Sequence, residues 1–261
     1  MDAQTFNARV ATPTTRLIGA LSIVSMAWVV LGGLFLTPKD MNQGDAVRIM
    51  YVHVPTAWVA YLAFIVTAVA SACWLLSRKH SMGFDRVAGA SAEVGVVFMA
   101  MTLLSGSLWG RITWGSYWAW DPRLTTTAFL LVTYIGYLAV RGLGGSLEQR
   151  ARRSAVIALL AVLEIPLVHF SVLMWRSLHQ KASVLSGDGD IKMDGSMLTT
   201  LLVGVVGFTC TFAWLVMHRQ RVLAMQDAMQ MTQLDVALRE RANESANESA
   251  NKSAIESNRL K

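Results

Sequence analysis

Residues 54–76 read VPTAWVAYLAFIVTAVASACWLL, with His53 just before them and Ser77-Arg78-Lys79 just after. The run contains no Asp, Glu, Lys or Arg. It is long enough to cross a hydrocarbon core of about 30 Å, which takes roughly 20 helical residues. Further apolar runs occupy 17–36, 87–109, 124–140, 155–175 and 197–217. Composition agrees: 54% of the 261 residues are apolar and 15% charged, against about 25% charged in an average globular protein. Inside lipid every backbone polar group needs an internal partner. A helix meets that need segment by segment, whereas a β-barrel would show alternating strands, which are absent here. The reading is an all-α polytopic membrane protein with six transmembrane helices in one membrane domain, 1–217. The first run exceeds a signal-peptide core, and Leu36-Thr37-Pro38-Lys39 offers no small-residue cleavage site, so it reads as a retained span.

Lys and Arg set the orientation. Arg78, Lys79 and Arg86 crowd one inner connector, and Arg141, Arg150, Arg152 and Arg153 the other. The outer segments hold fewer cations, which predicts both termini in the cytoplasm. Residues 218–240 read as a helical extension of the last span. After Arg241 the repeat Ala-Asn-Glu-Ser has no apolar face, and the tail 218–261 is expected to end in disorder.

Several chemistries are excluded. Cys73 and Cys210 lie in different apolar runs, and neither belongs to a C-x-x-C or C-x-x-C-H motif. No phosphate-binding G-x-x-x-x-G-K-[ST] loop is present. The net charge of +6 comes without a basic stripe interleaved with aromatics, so no nucleic-acid partner is expected.

The outer segments carry the distinctive residues. The tryptophan-rich loop 109–123 contains Trp109, Trp114, Tyr117, Trp118 and Trp120. A headgroup belt would spread such rings over all six spans; concentrated in one loop, they form a shelf on which a flat π system can stack. His53 opens the second span and His179 follows the fifth, both on the outer side. Two imidazoles on one side of the membrane match the axial ligands of a heme iron. Arg48, Arg111, Arg123 and Arg176 lie nearby, and guanidinium pairs in a planar fork with carboxylates such as propionates or with lipid phosphates. Asp121-Pro122 is a helix start, with Asp at the N-cap and Pro at the first helical position. Glu93 and Glu164 lie within spans, where interhelical hydrogen bonding is the preferred reading, and Pro166 predicts a kink in the fifth span.

The stretch Trp114-Gly-Ser-Tyr-Trp118-Ala-Trp120-Asp121 resembles the W-G-x-x-W-x-W-D signature of the heme-handling membrane proteins. That family includes cytochrome c maturation proteins C and F and the cytochrome c synthases. Six spans, with the tryptophan loop between the third and fourth and one outer histidine on each side of it, resemble the protein C branch, also called heme exporter protein C. The resemblance covers nearly all of 1–217. It implies that His53 and His179 are axial ligands of heme b and that Arg48 and Arg123 are propionate partners. It extends the cofactor-binding set to Trp114, Trp118, Trp120 and Asp121.

The resemblance further implies non-enzymatic, transient heme binding at the periplasmic face of a bacterial inner membrane. Delivery would be to the periplasmic heme chaperone, cytochrome c maturation protein E. The chain would work beside an ABC transporter built from cytochrome c maturation proteins A and B, together with the small cytochrome c maturation protein D. Where the family often has two adjacent tryptophans before the second ligand, this chain has Met174-Trp175, and the low-complexity tail lies outside the pattern. Two alternatives stay open on the residues alone: a b-type heme quinol oxidoreductase component and a transmembrane heme channel. His169, within the fifth span, is a further candidate ligand.

Overall fold

The computed structural model describes residues 12–180 and 193–259, with side chains to residue 248. The chain divides into two units at Gln220/Arg221. Within the first unit, helix α1 spans Pro13–Leu31, with Thr12 as its N-cap and Pro13 at the first helical position. A π-helical turn, Gly32–Leu36, closes that span. A 3₁₀ turn at Asp45–Ile49 leads into α2, Met50–Leu76. Helix α3 spans Met82–Trp114 and ends on Gly115, whose φ of +79° is the left-handed conformation that glycine adopts without strain. Then follow α4 (Pro122–Arg141), α5 (Leu147–Ala161) and α6 (Glu164–Met174). The last helix, α7, runs from Gly195 to Arg259, its residues after Gln220 forming the second unit.

Six helical stretches among the described residues are long and apolar enough to cross a membrane, with α5 and α6 together making the fifth. The chain is a multi-pass membrane protein. Each helical stretch begins before its apolar run, and α3, α4 and α7 also continue past its end, because polar residues at the interface can still be helical. Part of the tryptophan loop is therefore helix, since α3 continues through Trp109 to Trp114. The predicted kink at Pro166 is present. Proline has no N–H to donate to the Val162 carbonyl, and the Ile165 N–H takes it instead at 3.1 Å, across the break between α5 and α6. The tail departs from expectation: residues after Arg241 are helical to Arg259 rather than disordered. Ala and Glu favour helix, and neither Gly nor Pro interrupts the repeat.

The α2–α3 pair is the most extensively packed. Small residues let the two backbones approach, as membrane helices do when van der Waals contact drives association. Ala60, Ala63, Ala88 and Ala92 are all buried. At Gly95 an added Cβ would sit 2.7 Å from Phe64 Cε1 and 2.8 Å from the Ala63 Cβ. Phe64 in turn stacks on Tyr134 of α4 with ring centroids 3.6 Å apart, so α2, α3 and α4 lock together at this level. Gly95→Leu should separate α2 from α3 and destabilise the fold by about 1–3 kcal/mol. The measurement is thermal unfolding in detergent, and an unchanged midpoint would show the contact to be slack.

At the end of the bundle away from the tryptophan segment, three helices meet on one carboxylate. Asp85 accepts from Arg141 Nη1 at 2.5 Å and Nη2 at 2.7 Å, and from Arg150 Nη2 at 2.9 Å. Nearby, Glu93 is ion-paired to Arg219, and Glu164 accepts from Thr133 Oγ1 at 2.9 Å. Glu164 joins helices by the hydrogen bond expected, whereas Glu93 does so as the charged partner of an ion pair and not as a protonated carboxyl.

Candidate functional site

Odd numbers of crossings bring the segments 37–44, 115–121 and 175–180 to the same end of the bundle. His53 stands one turn into α2. Its Nδ1–H donates to the Thr102 carbonyl of α3 at 3.1 Å, and Ser105 Oγ lies at the same distance. The carbonyl can only accept, so the proton is on Nδ1 and Nε2 carries the lone pair. The ring fits because residue 106 is glycine: a Cβ there would meet His53 Cε1 at 2.8 Å. Trp109 closes the far side edge-on, with its ring centroid 5.7 Å away. The Trp109 indole N–H donates to Gln43 Oε1 at 2.8 Å, tying the first outer connection to α3.

His179 lies beyond the end of α6, on a segment without helical structure. Its Nδ1–H donates to the Gln180 carbonyl at 2.9 Å, again leaving the lone pair on Nε2. Its backbone N–H donates to Ser177 Oγ at 3.1 Å. Burial pushes the imidazole's pKa below its ordinary value; the Gln180 hydrogen bond opposes this and the positive charge of Arg123 adds to it. The neutral ring is thus the form present at neutral pH. Trp114 meets it edge-on at 6.4 Å between centroids.

Both histidines line one cavity of about 350 Å³. Its walls come from α2 (Met50, His53, Val54, Ala57, Tyr61), from one face of α3 that includes Met99, Leu103, Gly106, Trp109 and Trp114, and from the start of α4. Tyr117, Trp118, Leu178 and Gln180 close the outer end. Arg123 is the single charged side chain among the described lining residues. The volume is within the usual range for small-molecule sites. Paired neutral imidazoles, aromatic walls and one guanidinium suit a flat, apolar, metal-bearing ring with an anionic edge. Two tautomers held by backbone carbonyls are the arrangement that metal-binding histidines need, because the second nitrogen is then oriented and basic.

Residues 2–235 match the profile of heme exporter protein C, CcmC. The chain belongs to the heme exporter protein C family. It is 38% identical over 205 residues to the heme exporter protein C of Bradyrhizobium diazoefficiens, covering 75% of this chain and 77% of that protein. It is 32% identical over 224 residues to the Haemophilus influenzae protein of the same name, covering 84% and 89%. A ccmC-like mitochondrial protein of Marchantia polymorpha, named for cytochrome c biosynthesis, is 36% identical over 151 residues, covering 58% and 63%. The family thus places the chain in a cytochrome c maturation system.

Of the residues singled out in the sequence, the fold brings His53, His179, Trp114, Trp118 and Arg123 to the cavity. It puts four others elsewhere. Trp120 is 84% exposed and touches Trp118 edge-on, outside the lining. Arg48 turns back on the end of the first span, where Nη1 donates to the Gly33 carbonyl at 2.6 Å and also to that of Leu34. Its Nε pairs with Asp45 at 3.0 Å. The π-helical end of the first span presents these carbonyls, Gly33 also accepting from Thr37 Oγ1 at 3.1 Å, and the Arg48 guanidinium adds donors to them. Asp121 is buried and caps α4 by accepting from the Arg123 N–H at 2.9 Å, as expected of Asp before Pro. His169 is exposed and outside the lining; only its carbonyl reaches the site, accepting from Arg123 Nη1 at 3.4 Å.

Sequence reasoning missed Tyr61, Met99, Leu103 and Gln43. The first three lie in apolar runs, where nothing in one dimension tells a cavity wall from a lipid-facing side chain. Gln43 carries no local signal at all. Gly106 is also functional through what it omits; its only sequence trace is a glycine inside an apolar helix.

Proposed function

We propose that the chain binds heme b, transiently and without a covalent bond, with His53 and His179 as the two axial ligands. The observation that carries this reading is the pair of imidazoles, each with Nδ1 committed to a carbonyl, lining one aromatic-walled cavity. Trp114 and Trp118 supply ring edges and faces to the macrocycle, and Arg123 supplies a charge-assisted donor to a propionate. When bound, the heme provides the iron and all redox chemistry; the chain positions and shields it and is not an enzyme.

The reading sets this at the periplasmic face of a bacterial inner membrane, supported by the family resemblance, with both termini in the cytoplasm, supported by the distribution of Lys and Arg. There heme passes to the periplasmic chaperone, cytochrome c maturation protein E, alongside cytochrome c maturation proteins A, B and D. The two ligands differ in a way that suits handover. His53 is fixed in a helix between two partners on α3, whereas His179 lies beyond the end of α6, outside any helix. A ligand on such a segment can be lost first without disturbing the bundle.

The test is titration of the purified chain with hemin. A six-coordinate, low-spin bis-imidazole spectrum is expected, followed by transfer to the purified chaperone when it is added. A high-spin or free-hemin spectrum defeats the proposal. Arg123→Ala should weaken hemin retention by about tenfold, the value of one hydrogen bond to a charged group. Hemin dimethyl ester, which lacks the anionic edge, should bind wild type and variant alike. Equal losses with both probes would show that Arg123 acts on the fold and not on a carboxylate.

A further inference from the structure

The buried carboxylate of Asp121 has more partners than a helix cap requires. Oδ1 accepts from the Arg123 N–H at 2.9 Å, which completes the cap of α4. The same oxygen accepts from Ser177 Oγ at 3.0 Å. Oδ2 accepts from the backbone N–H of Leu178 at 2.6 Å. Ser177 Oγ in turn accepts the backbone N–H of His179 at 3.1 Å. Asp121 thus closes the tryptophan segment and holds, through three successive residues, the segment that carries the second imidazole. Its side chain is 5% exposed, so these hydrogen bonds form where water competes poorly.

We infer that Asp121 is the positioning residue for His179: its carboxylate clamps Ser177 and Leu178 so that the imidazole stands at the cavity wall opposite Trp114. The role rests on the proposed ligation by His179. It couples the tryptophan segment to ligand geometry. Any movement of residues 114–121, such as contact with a docking partner, is transmitted through one carboxylate to residues 177–179. The segment itself offers little competing restraint. The α6 helix ends at Met174, and Trp175 and Arg176 are both exposed. No intrahelical ladder fixes residue 179.

Asp121→Asn separates the clamp from the cap. The amide oxygen can still cap α4 and meet Ser177, but an NH₂ group then faces the Leu178 N–H, donor against donor. Hydrogen exchange on the full-length apo chain in detergent is the first measurement. Exchange at Leu178 should speed up by about ten- to a hundredfold, the worth of a hydrogen bond to a charged acceptor, while amides in the first turn of α4 keep their protection. Hemin is the probe for the second measurement. The variant should shift from a low-spin to a mixed or high-spin spectrum, and added imidazole should restore the low-spin form.

Unchanged Leu178 exchange overturns the clamp. Faster exchange with an unchanged hemin spectrum also overturns the inference, since the clamp would then not set the ligand. Loss of protection throughout α4 would show only a cap, and would equally overturn it. A wild-type chain with no bis-imidazole spectrum defeats the heme reading itself, whatever Leu178 does. Ser177→Ala supplies an independent check. It deletes the bridge to the His179 N–H but leaves the α4 cap untouched, and it should give a weaker version of the same spectral shift.

Discussion

His53→Ala and His179→Ala should each convert a low-spin hemin complex into a five-coordinate high-spin one, and the double variant should retain no hemin. Changing a group that merely orients a metal ligand commonly costs roughly 10–100-fold in affinity, so loss of a ligand should cost at least that much. The two single variants should differ in their response to added imidazole. His179 leaves an opening at the outer end of the cavity, beside exposed Trp114 and Gln180, where a free imidazole can enter. His53 leaves a hole between α2 and α3, behind Trp109 and against Gly106. Rescue should therefore be efficient for His179→Ala and poor for His53→Ala. Absorption spectra of both proteins at matched hemin concentrations decide the matter, and wild-type spectra in both variants would remove these residues as ligands.

Asp85→Ala should produce the largest loss of stability among single substitutions in the opposite end of the bundle. Asp85 and Arg141 are both buried, with side chains 3% and 7% exposed. The pair joins α3 to α4, and Arg150 brings in α5. Deleting the carboxylate removes two charged acceptors from the buried Arg141 guanidinium, which keeps the Asp85 backbone carbonyl at 3.1 Å and packs against Gly89, where an added Cβ would lie 2.5 Å from Arg141 Nε. Breaking a buried ion pair by removing one partner costs about 3–5 kcal/mol, because the remaining charge keeps its desolvation penalty. Thermal unfolding in detergent should show a markedly lower midpoint. Protein that remains folded should still give the low-spin hemin spectrum, because the cluster and the cavity occupy opposite ends. A midpoint equal to wild type would mean that the cluster adds nothing to the stability of the fold.

The two ends of the bundle also show how far each feature could be read in advance. Spans were legible because hydropathy, length and helix periodicity are local properties of the chain, and a bilayer converts them directly into crossings. The Asp121-Pro122 helix start and the kink at Pro166 were legible for the same reason, since each depends on residues within four positions. Parity of crossings then placed His53, Trp114, Trp118 and His179 at one end, and the tryptophan signature pointed to the family.

Residues separated by tens of positions followed no such rule. Arg48 was legible as a cation near the second span, but its hydrogen bonds to the carbonyls of Gly33 and Leu34 depended on where the first span ended. Trp118 and Trp120 are two residues apart in one motif, yet the first lines the cavity and the second lies outside it, because the backbone bends irregularly there and neither a helical nor a strand period relates the two side chains. The helical tail lay beyond a reading based on the missing apolar face, since helix propensity acts even without one.

The amino-acid order by itself determined that this chain crosses a membrane six times as helices and carries two histidines at the same end of the bundle as a tryptophan segment. Short-range sterics and the free energy of burying apolar side chains in lipid are enough for that. Only the tertiary structure decided which nitrogen of each histidine is bare, which arginine faces the cavity and which residue holds the second imidazole in place. Those outcomes rest on contacts such as Thr102 with His53, and Asp121 with Leu178, that exist only after the helices have packed.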